Sequence, residues 1–486
     1  MADLTEATQK ATRSVKWIFL TEVLSRAAGP LVFTVLAVLL QPAEFGLAAV
    51  ALLLVGFAQI GVEEGAGPGL VLSRMAASPS AANAAFWLNV VFGCSLYCLI
   101  ALSAPLGATL FDEPALTGIL RILGLQIILV SMTSVQRVTL EQSFEFKRLL
   151  HSRWISVCGG GVVSIALAQQ GYGAWALVIG SLATAVINLI VVWFVCSWRP
   201  SLELDWASVR SIMKLGRWTL LEIYAAWIFV WTDQLIVGRY LGLEQLGVFR
   251  VASSIAGFFF WTTFTSINGA LYPYFMRFSG DAAALKDVFS KLNRLVTAFA
   301  LPMGVGLALV APAIVPVLFG NRWTGLGVLL SLAAIRESIT WLTGINSELF
   351  RALGRPDVNV KAILISVCVC VPVYFMAAPF GVYVLSIVKI VLAAATVSLQ
   401  VFFTTRLLDI PGTYLWADNR SVAAACAVMC GFVWTSQSVL TAGSTHVMVS
   451  TMAVVVVGAV VYVVTLAILD RTLLNQAIKL LSRVAS

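Results

Sequence analysis

Charged residues are scarce in this 486-residue chain, at 11% against roughly 25% in soluble domains. Hydrophobic residues fill 60%, against roughly 45–50%, and the mean hydropathy is +0.95. A globular enzyme with a single membrane anchor is excluded, because the apolar residues form many spanning-length runs. The net charge of +8 does not indicate nucleic acid as a partner, because the basic residues lie in loops that flank these runs. The composition predicts an all-α polytopic membrane protein.

Metal-ligating side chains are also few. The two histidines, His151 and His446, lie at predicted membrane edges and away from the paired cysteines. All eight cysteines fall within apolar runs, and Cys94/Cys98 and Cys426/Cys430 are spaced i, i+4, which places each pair on one helix face. The i, i+4 spacing would be compatible with metal ligation. The favoured interpretation is that these cysteines serve as small, polarizable packing residues. We therefore expect no metal site and no cofactor.

The apolar runs predict fourteen membrane spans. On this assignment, loops on one side and both termini hold 24 basic residues, whereas the other side holds only Arg239 and Arg322. By the positive-inside rule both termini are cytoplasmic, and we expect the bacterial inner membrane. The predicted spans are 15–40, 44–63, 83–104, 115–136, 151–169, 174–196, 217–240, 245–272, 291–316, 326–350, 359–377, 381–404, 421–437 and 446–469.

A weak internal repeat organises the spans. Lys16–Gly46 is echoed 201 positions later by Arg217–Gly247, with four identical residues, and the five spans after each copy alternate in loop charge in the same way. Repeated bundles are typical of secondary transporters. The repeat predicts two six-helix lobes, 1–197 and 198–405, related by a pseudo-two-fold axis. Residues 406–486 add helices 13 and 14 and an amphipathic cytoplasmic tail.

Several turns between spans share a Gly- and Pro-rich character. Gly46, Gly320 and Gly354 are expected to adopt positive φ where a helix ends. The motifs are Pro42–Gly46 (PAEFG), Gly61–Arg74 (GVEEGAGPGLVLSR), Asp233 to Gly238 (DQLIVG), Leu318–Trp323 (LFGNRW) and Leu353–Pro356 (LGRP).

These motifs, in this order, resemble those of the polysaccharide transporter (oligosaccharide flippase, Wzx-like) family of the multidrug/oligosaccharidyl-lipid/polysaccharide superfamily. The chain has two glutamates after the second span, where the family pattern has one Asp. The resemblance implies a two-lobed fold that moves a polyprenyl-diphosphate-linked oligosaccharide outward across the inner membrane, for exopolysaccharide, capsule or O-antigen synthesis. It implies membrane lipid as a partner, and polysaccharide polymerase and export proteins as further candidates. Nucleic acid is not expected.

Nine ionisable residues lie well within the predicted spans, away from the span ends. Each costs about 2.5–3.5 kcal/mol at the centre of a lipid-facing helix, so they should face a wet cavity or one another. Basic side chains from both lobes would suit a diphosphate, to which Arg offers a bidentate fork. The proposed diphosphate-binding residues, expected to line one central cavity, are Arg26, Arg250, Arg336 and Lys389; the acidic residues expected to serve in H⁺ or Na⁺ coupling or in charge pairing are Glu22, Glu222, Asp233 and Glu337.

Structural roles for these charges remain open. Glu22 and Arg26 are spaced i, i+4 and could neutralise each other. Arg336 and Glu337 are adjacent, so we expect their side chains to point about 100° apart and not to pair. Arg121, the ninth residue, could extend toward the membrane surface. Tryptophans within the spans could stack on sugars, but lipid contact or helix packing is favoured.

Three other functions compete with a flippase. A cation-coupled drug antiporter of the same superfamily typically has twelve spans, so the appended pair favours the flippase. A membrane polymerase or glycosyltransferase usually needs a sizeable outer loop, and the predicted outer loops have about ten residues or fewer. A structural scaffold would not need nine intramembrane charges. The sequence therefore predicts a transporter and not an enzyme.

Overall fold

The structure is a computed structural model that describes residues 28–72, 79–143, 145–201, 206–278, 280–441, 447–473 and 475. Regular structure within these residues is entirely helical. The α-helices are Ala28–Leu39 (α1), Pro42–Leu72 (α2), Pro79–Leu110 (α3), Ala115–Ser131 (α4), Ser134–Gln142 (α5), Phe146–Gln169 (α6), Ala174–Val195 (α7), Trp206–Leu241 (α8), Leu243–Met276 (α9), Ala282–Phe319 (α10), Leu326–Thr340 (α11), Asn346–Ala352 (α12), Pro356–Ala377 (α13), Val382–Leu408 (α14), Tyr414–Thr441 (α15) and Val447–Leu469 (α16).

Membrane-spanning character is plain in the described residues. Ten helical segments are long and apolar enough to cross a membrane. Helices α6, α8 and α15 lie at three further predicted span positions, and α1 is a shorter apolar helix at the end of the first. The predicted all-α polytopic fold is confirmed, and the count of fourteen spans stays a prediction.

The fourth and tenth predicted spans are each interrupted. Met132 and Thr133 separate α4 from α5, and a 3₁₀ turn over Trp341–Thr343 separates α11 from α12. At the first break the Thr133 hydroxyl donates to the carbonyl oxygen of Val130 at 2.9 Å. Such local side-chain bonds offer the backbone an alternative to the helix ladder. The sequence predicts continuous spans over 115–136 and 326–350, and these two breaks correct that prediction. Interrupted membrane helices are common where transporters bind ligands and ions.

The chain divides into two compact units, Met1–Gly247 and Val248–Ser486. In the first unit, α3 packs on α4, α4 on α7, and α6 on α7. In the second, the corresponding pairs α10–α11, α11–α14 and α13–α14 are in contact. The same pairing pattern thus recurs in both parts of the predicted repeat. The first unit also includes α8, which packs on α2. The predicted lobe boundaries at 197 and 405 stay a prediction.

Helices α15 and α16 pack against each other and against α10 in the second unit. The Tyr462 hydroxyl on α16 donates to the carbonyl oxygen of Ala298 on α10 at 2.7 Å. Arg294 of α10 forms an ion pair with Asp470 at the end of α16. These contacts attach the last helix pair to one long helix of the repeat.

Two glycines at equivalent positions of the repeat allow close backbone contact inside the first unit. A Cβ added to Gly46 would overlap the carbonyl oxygen of Leu243, and one added to Gly247 would overlap the carbonyl oxygen of Pro42. Adding 201 to 42 and 46 gives 243 and 247, so the contact is reciprocal between equivalent positions of the predicted repeat.

This contact corrects the expectation for Gly46, which lies near the start of α2 and does not have positive φ. Its missing side chain serves close approach. Gly320 and Gly354 do adopt positive φ, at +70° and +69°, as predicted.

Candidate functional site

A small cavity in the second unit brings two of the predicted cationic residues together. Arg336 of α11 and Lys389 of α14 both line it, and Phe249 and Ser253 of α9 close one side. The cavity offers about 10 Å³, roughly the space of one water molecule. Its walls are apolar apart from the two cations and two hydroxyls. Its complete lining is Phe249, Ser253, Leu329, Leu332, Ala333, Arg336, Ser386 and Lys389.

Arg336 forms an ion pair with its neighbour Glu337. The Arg336 side chain is one-quarter exposed, whereas that of Glu337 is 10% exposed. The expectation that these adjacent side chains would not pair is therefore wrong. Their Cβ atoms diverge around the helix, but the long Arg side chain can bend back to the carboxylate. A buried carboxylate beside the guanidinium lowers the cost of holding this charge within the membrane.

Lys389 is buried, with 7% of its surface exposed. Its ammonium nitrogen lies 4.7 Å from the ring centroid of Phe249, close enough for a cation–π interaction. Arg250 follows Phe249 on α9 and is half-buried, but it does not line the cavity.

The other predicted residues have different outcomes. Glu22 and Arg26 lie outside the described residues, and the side chain of Glu222 is likewise not described. Asp233 lies in the first unit, is 2% exposed, and accepts a hydrogen bond from the backbone N–H of Gln234 at 2.8 Å. Arg121 is exposed on α4, and its Nε donates to the carbonyl oxygen of Ala101 at 3.4 Å. The shared central cavity and the diphosphate role of the four basic residues stay predictions.

A larger cavity lies within the first unit, and our sequence reasoning missed it. Its volume is about 460 Å³, and thirteen of its eighteen lining residues are polar. Four helical segments supply these polar residues, mostly at intervals of three or four positions. This spacing is the sequence signal from which the site could have been predicted. The polar lining residues are Gln59 and Glu63 of α2, Gln126, Thr133, Ser134, Arg137 and Glu141 of α4, α5 and their junction, Ser152, Arg153 and Ser156 of α6, and Ser181, Thr184 and Asn188 of α7.

A directed chain of hydrogen bonds crosses this cavity wall. The Ser181 hydroxyl donates to Gln126 Oε1 at 2.9 Å, Gln126 Nε2 donates to Gln59 Oε1 at 3.1 Å, and Gln59 Nε2 donates to Glu63 Oε1 at 2.6 Å. The chain ties α7 to α4 and α4 to α2. Because each amide uses one N–H in it, a second N–H remains on each for a ligand.

Charged groups of the two signs are balanced among the residues that line the cavity. Arg137 donates from Nη2 to the backbone carbonyl oxygen of Glu63 at 3.4 Å, and its Nε lies 3.9 Å from the Glu141 carboxylate. Arg153 is exposed on α6. Two arginines thus accompany two glutamates among the lining residues, which leaves the cavity polar but without net charge.

The sequence matches the family described as polysaccharide biosynthesis protein over residues 35–328, which is 294 of the 486 residues. The chain belongs to this family. The predicted resemblance to the polysaccharide transporter (oligosaccharide flippase, Wzx-like) family is thereby confirmed.

Among curated relatives, the chain is 27% identical over 330 residues to the succinoglycan biosynthesis transport protein ExoT of Rhizobium meliloti, covering 68% of this chain and 66% of the relative. It is 23% identical to the teichuronic acid biosynthesis protein TuaB of Bacillus subtilis (62% of each chain) and 22% identical to the lipopolysaccharide biosynthesis protein WzxC of Escherichia coli (73% and 72%). The matched region thus spans slightly less than two thirds of the length of the first two relatives.

Among solved structures, the fold is similar to the lipid II flippase MurJ in an inward closed conformation, with a TM-score of 0.76 at 13% identity over 93% of this chain and 98% of that one. It is also similar to an inward-facing multidrug resistance MATE transporter, with a TM-score of 0.60 at 12% identity over 83% and 98%. At these identities the likeness establishes the fold alone.

Proposed function

We propose that this protein is a flippase that moves a polyprenyl-diphosphate-linked oligosaccharide across the bacterial inner membrane by alternating access, and that it is not an enzyme. The observation that carries the proposal is that Arg336 and Lys389 line the same cavity of the second unit. Membership in the polysaccharide biosynthesis family supports it. Both termini would be cytoplasmic, and polymerase and export proteins would receive the flipped glycan.

The chemistry of the second-unit cavity suits a diphosphate. Arg can donate two parallel hydrogen bonds to phosphate oxygens, and Lys adds a compact charge. Glu337 would neutralise Arg336 while the site is empty, and the diphosphate would take over that role on binding. Because the cavity has room for about one water, entry of the diphosphate requires a movement of α11 or α14.

Complementation of a flippase-null strain tests this function. Arg336→Gln and Lys389→Gln should each lower glycan export at least about tenfold, because a hydrogen bond to a charged group contributes about 1.5–3 kcal/mol. The matched control is Arg121→Gln, which removes an intramembrane cation that does not line the cavity and should leave export near wild type. Membrane protein levels must be equal in all strains. Full export by both cavity variants would contradict the proposal.

A further inference from the structure

We propose that the cavity of the first unit binds the sugars of the transported glycan. The inference rests on the proposed function and assigns the two ends of the substrate to different sites. The diphosphate would bind at Arg336 and Lys389, whereas the hydroxyl-rich sugars would bind among Gln59, Gln126 and Asn188.

The charge of the first-unit cavity favours sugars over the diphosphate. Arg137 and Arg153 are offset by Glu63 and Glu141, so an anion gains no net attraction there. A sugar hydroxyl both donates and accepts hydrogen bonds, and it therefore suits a wall that mixes amides, hydroxyls, carboxylates and guanidinium groups.

Hydrogen-bonding capacity remains in the cavity wall. Asn188 Oδ1 accepts from the Ser152 hydroxyl at 3.5 Å, and within the described residues the Asn188 Nδ2 group donates to no protein atom. Gln59 and Gln126 each donate one amide N–H within the wall and keep a second. Several lining hydroxyls, such as that of Thr184, donate to their own helix carbonyls and keep lone pairs that can accept from a ligand.

The size of the cavity fits part of an oligosaccharide. Its volume of about 460 Å³ lies within the roughly 300–1,000 Å³ typical of small-molecule sites. The hydrogen-bond chain from Ser181 to Glu63 fixes the orientation of the two glutamines before any ligand arrives. A preordered wall of this kind lowers the entropy lost on binding.

Site-specific photo-crosslinking in glycan-producing cells tests the inference. A photoreactive amino acid replaces Gln126 or Asn188 in the full-length protein, and the cells are fed a tritiated sugar that enters the glycan. The matched control is Ile190, which lies on the same helix as Asn188 but is 49% exposed on the apolar surface. Leu332, which lines the second-unit cavity, reports on the diphosphate end. After crosslinking, mild acid cleaves the bond between sugar and phosphate.

We expect at least tenfold more tritium on the Gln126 and Asn188 proteins than on the Ile190 protein, and this label should resist mild acid. Label at Leu332 should be released by acid, because the crosslink there holds the phosphate or lipid portion. Both signals should vanish in a host that lacks the first glycosyltransferase of the pathway. If the Asn188 variant fails to insert, Thr184 on the same cavity wall replaces it.

The inference is overturned if the Gln126 and Asn188 proteins carry no more label than the Ile190 protein, or if acid releases their label. In either case, acid-labile label at Leu332 would leave the proposed function standing. Absence of label at Leu332 in cells that export normally would instead contradict the diphosphate site itself.

Discussion

Arg336 and Glu337 show how side-chain length can override helical geometry. Successive residues of a helix diverge by about 100°, yet the two side chains pair. The ion pair lowers the free-energy cost of placing the Arg336 charge among the apolar residues of α11. It also leaves two roles for Arg336, structural neutralisation and ligand binding, that a charge exchange can separate.

Exchanging the pair as Arg336→Glu/Glu337→Arg should abolish export while the protein still reaches the membrane. The exchange keeps the ion pair but moves the cation away from Lys389, so the diphosphate loses one of its two charged partners. We expect roughly 10- to 100-fold weaker substrate binding from the loss of one charged hydrogen bond. Glycan export and membrane protein level are the measurements. Export restored by the exchange, relative to Arg336→Glu alone, would show that Arg336 serves only to pair.

At the scale of helices, the close contact between the starts of α2 and α9 depends on Gly46 and Gly247. Gly46→Val and Gly247→Val should each destabilise the protein by about 1–3 kcal/mol, because the new side chain meets backbone that cannot move aside cheaply. The control is Gly56→Val on the same helix α2, where a Cβ meets nothing within 4 Å. Thermal unfolding in detergent measures the difference. Equal midpoints for all three variants would exclude the reciprocal contact as a determinant of stability.

Much of the helical architecture could be predicted from the sequence, because apolar runs bounded by charged loops report directly on membrane spans. The breaks in the fourth and tenth spans could not. Ser131 and Thr133 look like ordinary polar residues near a span end, and only their bonds to nearby carbonyls reveal the interruption. The role of Gly46 was also hidden, since close approach depends on a partner 197 positions away, Leu243.

The two candidate sites could be predicted from the sequence to different degrees, and the reason is energetic. Charges such as Arg336 and Lys389 are so costly in lipid that their presence alone marks an interior surface. Amides and hydroxyls cost less, so counting charges overlooked Gln126, Ser181 and Asn188. The available signal was the i, i+3 and i, i+4 spacing of polar residues within an apolar helix, as in Ser181, Thr184 and Asn188.

For the molecule as a whole, the distribution of basic residues predicts the orientation. Reporter fusions after Pro200 and after Asp409 should both read cytoplasmic, because 24 loop and terminal cations lie on that side against two on the other. A fusion after Arg322, predicted to be periplasmic, is the matched control. A periplasmic signal at Pro200 or Asp409 would contradict the predicted topology of fourteen spans.

The sidedness of the lipid-linked glycan tests the proposed flippase function most directly. Spheroplasts from cells depleted of this protein are treated with membrane-impermeant periodate, which oxidises only sugars exposed at the outer face. We predict that the polyprenyl-diphosphate-linked glycan accumulates in a protected form, and that the wild-type protein, but not Arg336→Gln/Lys389→Gln, restores its oxidation. Unchanged oxidation of the glycan after depletion would contradict the account, because the lipid-linked glycan would then be reaching the outer face without this protein.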